Sequence, residues 1–302
     1  MNKIVLVGCG NVGMAYSYAL VNQKEYIDEL VLIDINKDKC IGEAMDLNHC
    51  MAYSPSKIKV SVGDYKDCSD AKIVVIAAGA NQAPGETRMD LIDKNSKIFK
   101  SIVDNVMASG FNGIFLVATN PLDVMTYLTL KYSGLPINRV IGSGTTLDTA
   151  RLRFLLSEKL GVCPKNIEAY VIGEHGDSEF IPWSNVNIAY KKISDVLSDD
   201  ILIDIENEVR NSAYEIINRK GATYYGIGMC LVRITNAILE DKNIILPVSS
   251  WDKENEVCIS TPAIVGKDGV KDKIFIPLDE EETSKLVNSI NVIKEAINNL
   301  KS

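Results

Sequence analysis

The chain of 302 residues holds two histidines, and one of them, His175, stands inside the run Gly173-Glu174-His175-Gly176-Asp177. Imidazole titrates near pH 6.5, so it can pass a proton in either direction near neutrality. Flanking glycines let the backbone bring such a ring close to a bound molecule. On this segment alone two readings stand, an acid/base group and a histidine satisfied in a turn. Asp148 and Arg151 are three apart on an expected helix and so share a face. That pair is either an orienting carboxylate beside a carboxylate-gripping guanidinium or an ordinary surface ion pair, which contributes little. Arg153, two positions on, must point elsewhere. The polar run Asn81-Gln82-Ala83-Pro84-Gly85-Glu86-Thr87-Arg88 follows an apolar strand ending near Ala78. At the C-terminal end of a parallel strand such a run overhangs a ligand crevice, as a lid or as a plain surface loop. Asn120 precedes Pro121 at the equivalent edge one strand later, either as a ligand-binding amide or as the cap of the next helix.

A second group of residues has nucleotide chemistry. Gly8-Cys9-Gly10-Asn11-Val12-Gly13 is a G-x-G-x-x-G that directly follows an apolar strand and opens a helix. Its glycines permit a sharp turn and close backbone approach to a pyrophosphate, and the helix N-terminus offers free N–H groups to it. Asp34 ends the next strand, where a carboxylate accepts from ribose hydroxyls and repels a 2′-phosphate. The expected cofactor is therefore NAD rather than NADP.

These residues need elements to hold them. Strands at Ile4–Val7, Leu30–Ile33, Ile58–Val62, Ile73–Ala77, Ile114–Ala118 and Val140–Ile141 alternate with helices at Val12–Val21, Lys37–His49, Thr87–Ser109 and Pro121–Lys131. Uniformly apolar strands in a βα alternation predict an α/β domain with a doubly wound parallel (Rossmann) sheet over residues 1–143. Residues 144–302 read as a second, α+β substrate domain. Helices are expected at Thr146–Leu160, Ser198–Arg219 and Tyr225–Leu239. Strands are expected at Tyr170–Ile172, after Pro182, and at Ile244–Pro247, Val257–Ile259 and Lys273–Ile276. The spacing of Leu286, Ile290, Ile293, Ile297 and Leu300 predicts a closing amphipathic helix. No Pro-, Gly- or Ser-rich linker separates the halves, so they should pack around a shared cleft.

Composition excludes several classes. Hydrophobic residues make up 46% and charged residues 24%, ordinary for a globular chain. The net charge of −8 argues against a nucleic-acid partner. No apolar run is long enough for a membrane span, and the apolar start breaks at Gly8, too early for a signal peptide. The seven cysteines form no C-x-x-C, so neither a disulfide framework nor a metal site is expected, and reduced thiols fit a cytoplasmic protein.

Taken in order, the glycine loop, NQAPGETR, TNPLD, GSGTTLDTARLR, GEHGDSE and KGATYYGIG resemble the L-lactate and malate dehydrogenase family, in its bacterial L-lactate branch, almost end to end. The resemblance implies NAD-dependent interconversion of L-lactate and pyruvate, in glycolytic fermentation, by a homotetramer. It implies His175 as acid/base, Asp148 as its orienting partner, Arg151 as the clamp on the substrate carboxylate, and Arg88 as polariser of the reacting carbonyl. Asn120 and Thr223 would line the substrate pocket. Asn11, Val12, Ala78, Gly79, Asn120 and Ile227 would join the glycines and Asp34 around the cofactor. Gln82 stands where the malate enzymes carry an arginine, which implies a monocarboxylate. A bulkier L-2-hydroxy acid is the alternative substrate. Arg153 matches an arginine that binds fructose 1,6-bisphosphate in many bacterial relatives, but Glu168 replaces the histidine expected there, against such activation. The resemblance places His49 near a subunit contact, in a structural role.

Overall fold

The computed structural model describes residues 2–23, 27–80 and 88–300, the side chains of residues 88–90 excepted. In chain order the elements are β1 (Lys3–Val7), α1 (Asn11–Val21), β2 (Glu29–Ile33), α2 (Lys37–His49), β3 (Lys59–Val62), β4 (Ile73–Ile76), α3 (Arg88–Ala108), β5 (Ile114–Val117), α4 (Leu122–Ser133) and β6 (Val140–Gly142). They continue with α5 (Thr146–Leu160), β7 (Asn187–Ile188), β8 (Lys191–Lys192), α6 (Asp199–Lys220), α7 (Tyr225–Leu239), β9 (Ile244–Asp252), β10 (Val257–Gly266), β11 (Gly269–Lys273) and α8 (Glu280–Asn298).

The main sheet runs β11-β10-β9-β6-β5-β4-β1-β2-β3. Strands β1 to β6 pair in parallel and β9 to β11 in antiparallel fashion. The alternation of side chains along each parallel strand explains the two-sided burial. Ile4 and Leu6 of β1 pack into one core with residues of α1, α2 and α7, while Val5 and Val7 pack into another with residues of α3 and α4. β2 and β4 divide the same way, so both faces of the sheet are dry and the strands need apolar residues throughout. A further core of Leu152, Leu156, Val171, Ile181, Leu202, Ile205 and Val209 joins α5 to α6.

The antiparallel strands expected in the second half form, but they extend the first sheet, with Gly142 of β6 paired to Ser249 of β9. Tyr170–Ile172 makes no strand; Ile172 forms a single bridge with Phe180, and the backbone of Val171 bonds the Thr149 and Thr145 hydroxyls instead of a neighbouring strand. The last strand ends at Lys273 rather than beginning there, because the turn at Lys267–Asp268 folds β11 back on β10 from Gly269 onward. The lone histidine of α2, His49, is exposed at the end of that helix and belongs to no core in this chain. The parallel strands β1, β4 and β5 all end at one edge of the sheet, the C-terminal edge, where open α/β sheets hold ligands.

Candidate active site

The first part of the site is the turn from β1 into α1. Gly8 has φ +108°, a conformation that disfavours side chains, and a Cβ there would strike the backbone of Ala78 at the end of β4. A Cβ on Gly13 would strike the carbonyl of Gly8, so the turn closes only with glycine at both ends. Gly10 differs: a Cβ there would meet nothing within 4 Å. Its Cα faces open space at the N-terminus of α1, which carries no side-chain cap. Unspent N–H groups and the partial positive charge of the helix are therefore directed at that space. Asp34, just past β2, holds the loop: Oδ2 accepts from the Cys9 N–H at 2.7 Å and Oδ1 from the Asn36 N–H at 2.9 Å. Two turns flank it. Ala80 donates to Asn95 Oδ1 at 2.8 Å, and Asn95 Nδ2 donates to the Asn120 carbonyl at 3.2 Å, so a buried amide of α3 ties the turn after β4 to the turn after β5. α4 has no side-chain N-cap, so the capping alternative for Asn120 is not realised and its residue stays exposed.

The second part gathers around His175. Its Nδ1 lies 2.7 Å from Asp148 Oδ2, and Arg151 Nη1 lies 2.7 Å from Asp148 Oδ1. The Asp148 side chain is 2% exposed and that of Arg151 12%, so this is a buried pair rather than a surface one. An ionised carboxylate only accepts hydrogen bonds, so Nδ1 carries the hydrogen and Nε2 is left to exchange protons. Burial opposes the imidazolium, but the Asp148 charge and its hydrogen bond outweigh it and push His175 up to about 9. Burial likewise opposes the Asp148 carboxylate, yet His175 and Arg151 hold it below the usual range.

The backbone carrying His175 is pinned from three sides. Gly173 exchanges hydrogen bonds with Ser260 of β10, at 2.9 and 3.1 Å. The Glu174 N–H donates to Ser289 Oγ of α8 at 2.6 Å. The His175 N–H donates to Asp123 Oδ2 of α4 at 2.8 Å, and Ser249 Oγ donates to Asp123 Oδ1 at 2.6 Å. Burial pushes Asp123 up to about 6. A further buried acid, Glu179, has its Oε2 3.9 Å from His175 Nδ1.

The family model for the lactate/malate dehydrogenase NAD binding domain matches residues 2–142, and that for the family's alpha/beta C-terminal domain matches residues 145–302. The chain belongs to the lactate/malate dehydrogenase family. It is 53% identical to an L-lactate dehydrogenase of Geobacillus sp. (strain WCH70), over 98% of this chain and 96% of that one. It is 51% identical to an L-lactate dehydrogenase of Bacillus pumilus (strain SAFR-032), over 98% of this chain and 97% of the other. A solved lactate dehydrogenase from a Medee basin deep-sea metagenome superposes with a TM-score of 0.96 at 51% identity, over 99% of this chain and 98% of the other. The minor L-lactate dehydrogenase of Enterococcus mundtii superposes with a TM-score of 0.97 in its ligand-bound form, at 43% identity and over 99% of this chain and 98% of that chain.

As a member of this family the chain uses NAD, and the first part of the site fits it. A glycine turn with an open face at Gly10, an uncapped helix N-terminus and an acid beyond β2 are what a pyrophosphate and an adenosine ribose need. The lactate/malate dehydrogenase helix that carries Ile227, α7, lies on the cofactor helix. Tyr16 Oη of α1 meets Thr235 Oγ1 of α7 at 2.9 Å, and a Cβ on Gly228 would come 2.8 Å from the backbone of Ala15. Thr223 sits just before α7, partly buried. Gln82 and the Arg88 side chain lie outside the described residues. Asp123, Asn95 and Glu179 were not anticipated as site residues. Asp123 stands inside TNPLD and Glu179 inside GEHGDSE, but neither spacing says that the side chain turns toward the imidazole.

Proposed function

We propose that the chain is an L-lactate dehydrogenase that interconverts pyruvate and L-lactate. The observation that carries this reading is the buried Asp148, bonded to His175 through one oxygen and to Arg151 through the other. It couples a proton-exchanging group on the turn after Gly173 to a guanidinium of α5. NAD, when bound, supplies the two-electron redox chemistry at substrate C2. In reduction His175 Nε2 gives its proton to the ketone oxygen, and in oxidation it takes the hydroxyl proton back. Asp148 fixes the tautomer and stabilises the imidazolium. Arg151 spends one donor on Asp148 and presents the rest of its fork to the substrate carboxylate, a geometry lysine lacks. Arg88 polarises the carbonyl, and Asn120 and Thr223 line the substrate.

Gln82 sets the choice of acid. A neutral amide leaves a second carboxylate unpaired in a buried site, a cost of several kcal/mol. Arg153 donates through Nε to the Ala169 carbonyl at 3.1 Å, and its guanidinium lies 5.0 Å from the Tyr170 ring centroid, while Glu168 puts an acid just before these residues in the chain. These contacts support an enzyme without fructose 1,6-bisphosphate activation. Exposed apolar side chains of α1 and α2, Tyr18, Ile41 and Met45, support burial in a homotetramer. The reading also places the enzyme in the cytoplasm, in fermentative glycolysis, with a division between residues 143 and 144.

The test is NADH oxidation with pyruvate, oxaloacetate and 2-oxoisocaproate, each with and without fructose 1,6-bisphosphate. Pyruvate is expected to give the highest kcat/KM and the bisphosphate no stimulation, and Gln82→Arg should swing preference toward oxaloacetate. Faster reduction of 2-oxoisocaproate would replace lactate by a bulkier 2-hydroxy acid. Faster reduction of oxaloacetate by the unaltered enzyme would remove Gln82 as the selector.

A further inference from the structure

Asp148 and Glu179 put two acids against one imidazole. Ligand atoms of Asp148, His175 and Glu179 all lie within 4.8 Å of one another, and both carboxyl groups are buried. The cations facing them are Arg151, which is spent on Asp148 Oδ1, and His175, whose Nδ1 is spent on Asp148 Oδ2. Glu179 is held in place from its own backbone, with its N–H on the Gly176 carbonyl at 3.2 Å and its carbonyl receiving Arg210 Nη2 at 3.5 Å. Two carboxylates this close in a dry site do not both stay ionised; either a cation or a proton must lie between them. Arg151 and His175 already place positive charge on both Asp148 oxygens, which disfavours a further cation there.

We propose that Glu179 is a positioning residue, kept as a neutral carboxylic acid whose O–H donates to the Asp148 carboxylate. Two ionised carboxylates are acceptors only, so a hydrogen bond across this gap requires one proton, and Asp148, with two cationic partners, is the one that stays charged. Burial and the Asp148 charge push Glu179 up to about 9, in agreement with that placement. The consequence bears on His175. A second full charge 3.9 Å from Nδ1 would favour the imidazolium further and make the ring a weaker proton donor to substrate. A neutral Glu179 spares the ring that added charge and leaves Asp148 and Asp123 as the acids acting on it. It also gives Asp148 a third partner beside Arg151 and His175. This inference rests on His175 being the acid/base of the proposed reaction.

The experiment compares wild type, Glu179→Gln and Glu179→Leu by the pH profile of kcat/KM for pyruvate and by infrared spectra at neutral pH. Glutamine keeps a neutral donor, and leucine removes it. Glu179→Leu is expected to lose roughly tenfold in kcat, the rate equivalent of one lost buried hydrogen bond, with NADH affinity unchanged. Glu179→Gln is expected to recover most of that loss and keep the wild-type inflection. The wild-type spectrum should show a protonated-carboxyl stretch that both variants lack. An inflection moved to lower pH in Glu179→Gln would mean an ionised Glu179 and would overturn the proposal. So would full activity in Glu179→Leu, absence of the infrared band, or a stoichiometric metal in the purified enzyme. If Glu179→Leu fails to fold, the glutamine variant and the wild-type spectrum decide alone. A wild-type enzyme inactive on pyruvate would instead sink the functional reading, whatever the infrared band shows.

Discussion

The glycine loop and the histidine cluster are built in opposite ways. The loop is local: Gly8 to Gly13 close on themselves and on Ala78, and the loop's polar partner, Asp34, comes from the next strand of the same sheet. It works through backbone groups, so its requirements are steric and fall on glycines. The histidine cluster draws Asp123 from α4, Asp148 and Arg151 from α5 and His175 from the turn pinned to β10 and α8. It works through buried charges whose protonation depends on each other. Changes to the first region should therefore move cofactor affinity and folding, and changes to the second should move the rate and its pH dependence.

The largest expected separation comes from His175→Ala. Turnover should fall on the order of a thousandfold, the scale of a lost general acid/base, while NADH titration by fluorescence still shows binding. Undiminished turnover would remove His175 from the chemistry and dissolve the contrast.

The pH profile sharpens it further. With His175 pushed up to about 9, the imidazolium needed for pyruvate reduction is present below that value, so reduction should fall as pH rises through about 9. Lactate oxidation needs the neutral ring and should rise over the same interval. Equal dependence in both directions would argue against a single shared proton.

Within the loop, two glycines should part company. Gly13→Ala forces a Cβ onto the Gly8 carbonyl, and overpacking of this kind costs about 1–3 kcal/mol, visible as a lower Tm of the cofactor-free protein. Gly10→Ala meets no protein atom, so its Tm should hold while NADH affinity falls, because the methyl occupies the space meant for phosphate. A Tm loss in Gly10→Ala equal to that in Gly13→Ala would mean that both glycines are structural.

The smallest effect is expected from Asp34→Ala. It removes the side-chain acceptors of two backbone N–H groups as well as the carboxylate proposed for the ribose, and NADH affinity should weaken about tenfold, with NADPH less affected. Unchanged discrimination between the two cofactors, measured by titration, would leave Asp34 as a loop support only.

Much of this was legible in the residues. The apolar runs IVLV and IVVI and the glycine spacing located β1, β4 and the turn into α1 because strand burial and turn sterics are local. α2, α5 and α7 matched their periodicity to the residue. Tyr170–Ile172 misled because alternation there reflects packing into the α5–α6 core and not a ladder. Asp148, Arg151 and His175 were picked out by residue type and by the resemblance, but their burial was not. Three apart on a helix describes an exposed ion pair as well as a buried one.

By itself the sequence determined the two-faced sheet, the glycine turn into α1 and the kinds of side chain available for proton transfer, since each follows from interactions between near neighbours. The tertiary structure alone decided that Asp123 holds the histidine backbone and that Asp148 and Glu179 share the space behind the ring. That choice depends on through-space distance and on the exclusion of water. Both arise only when α4, α5, β10 and α8 close around one turn.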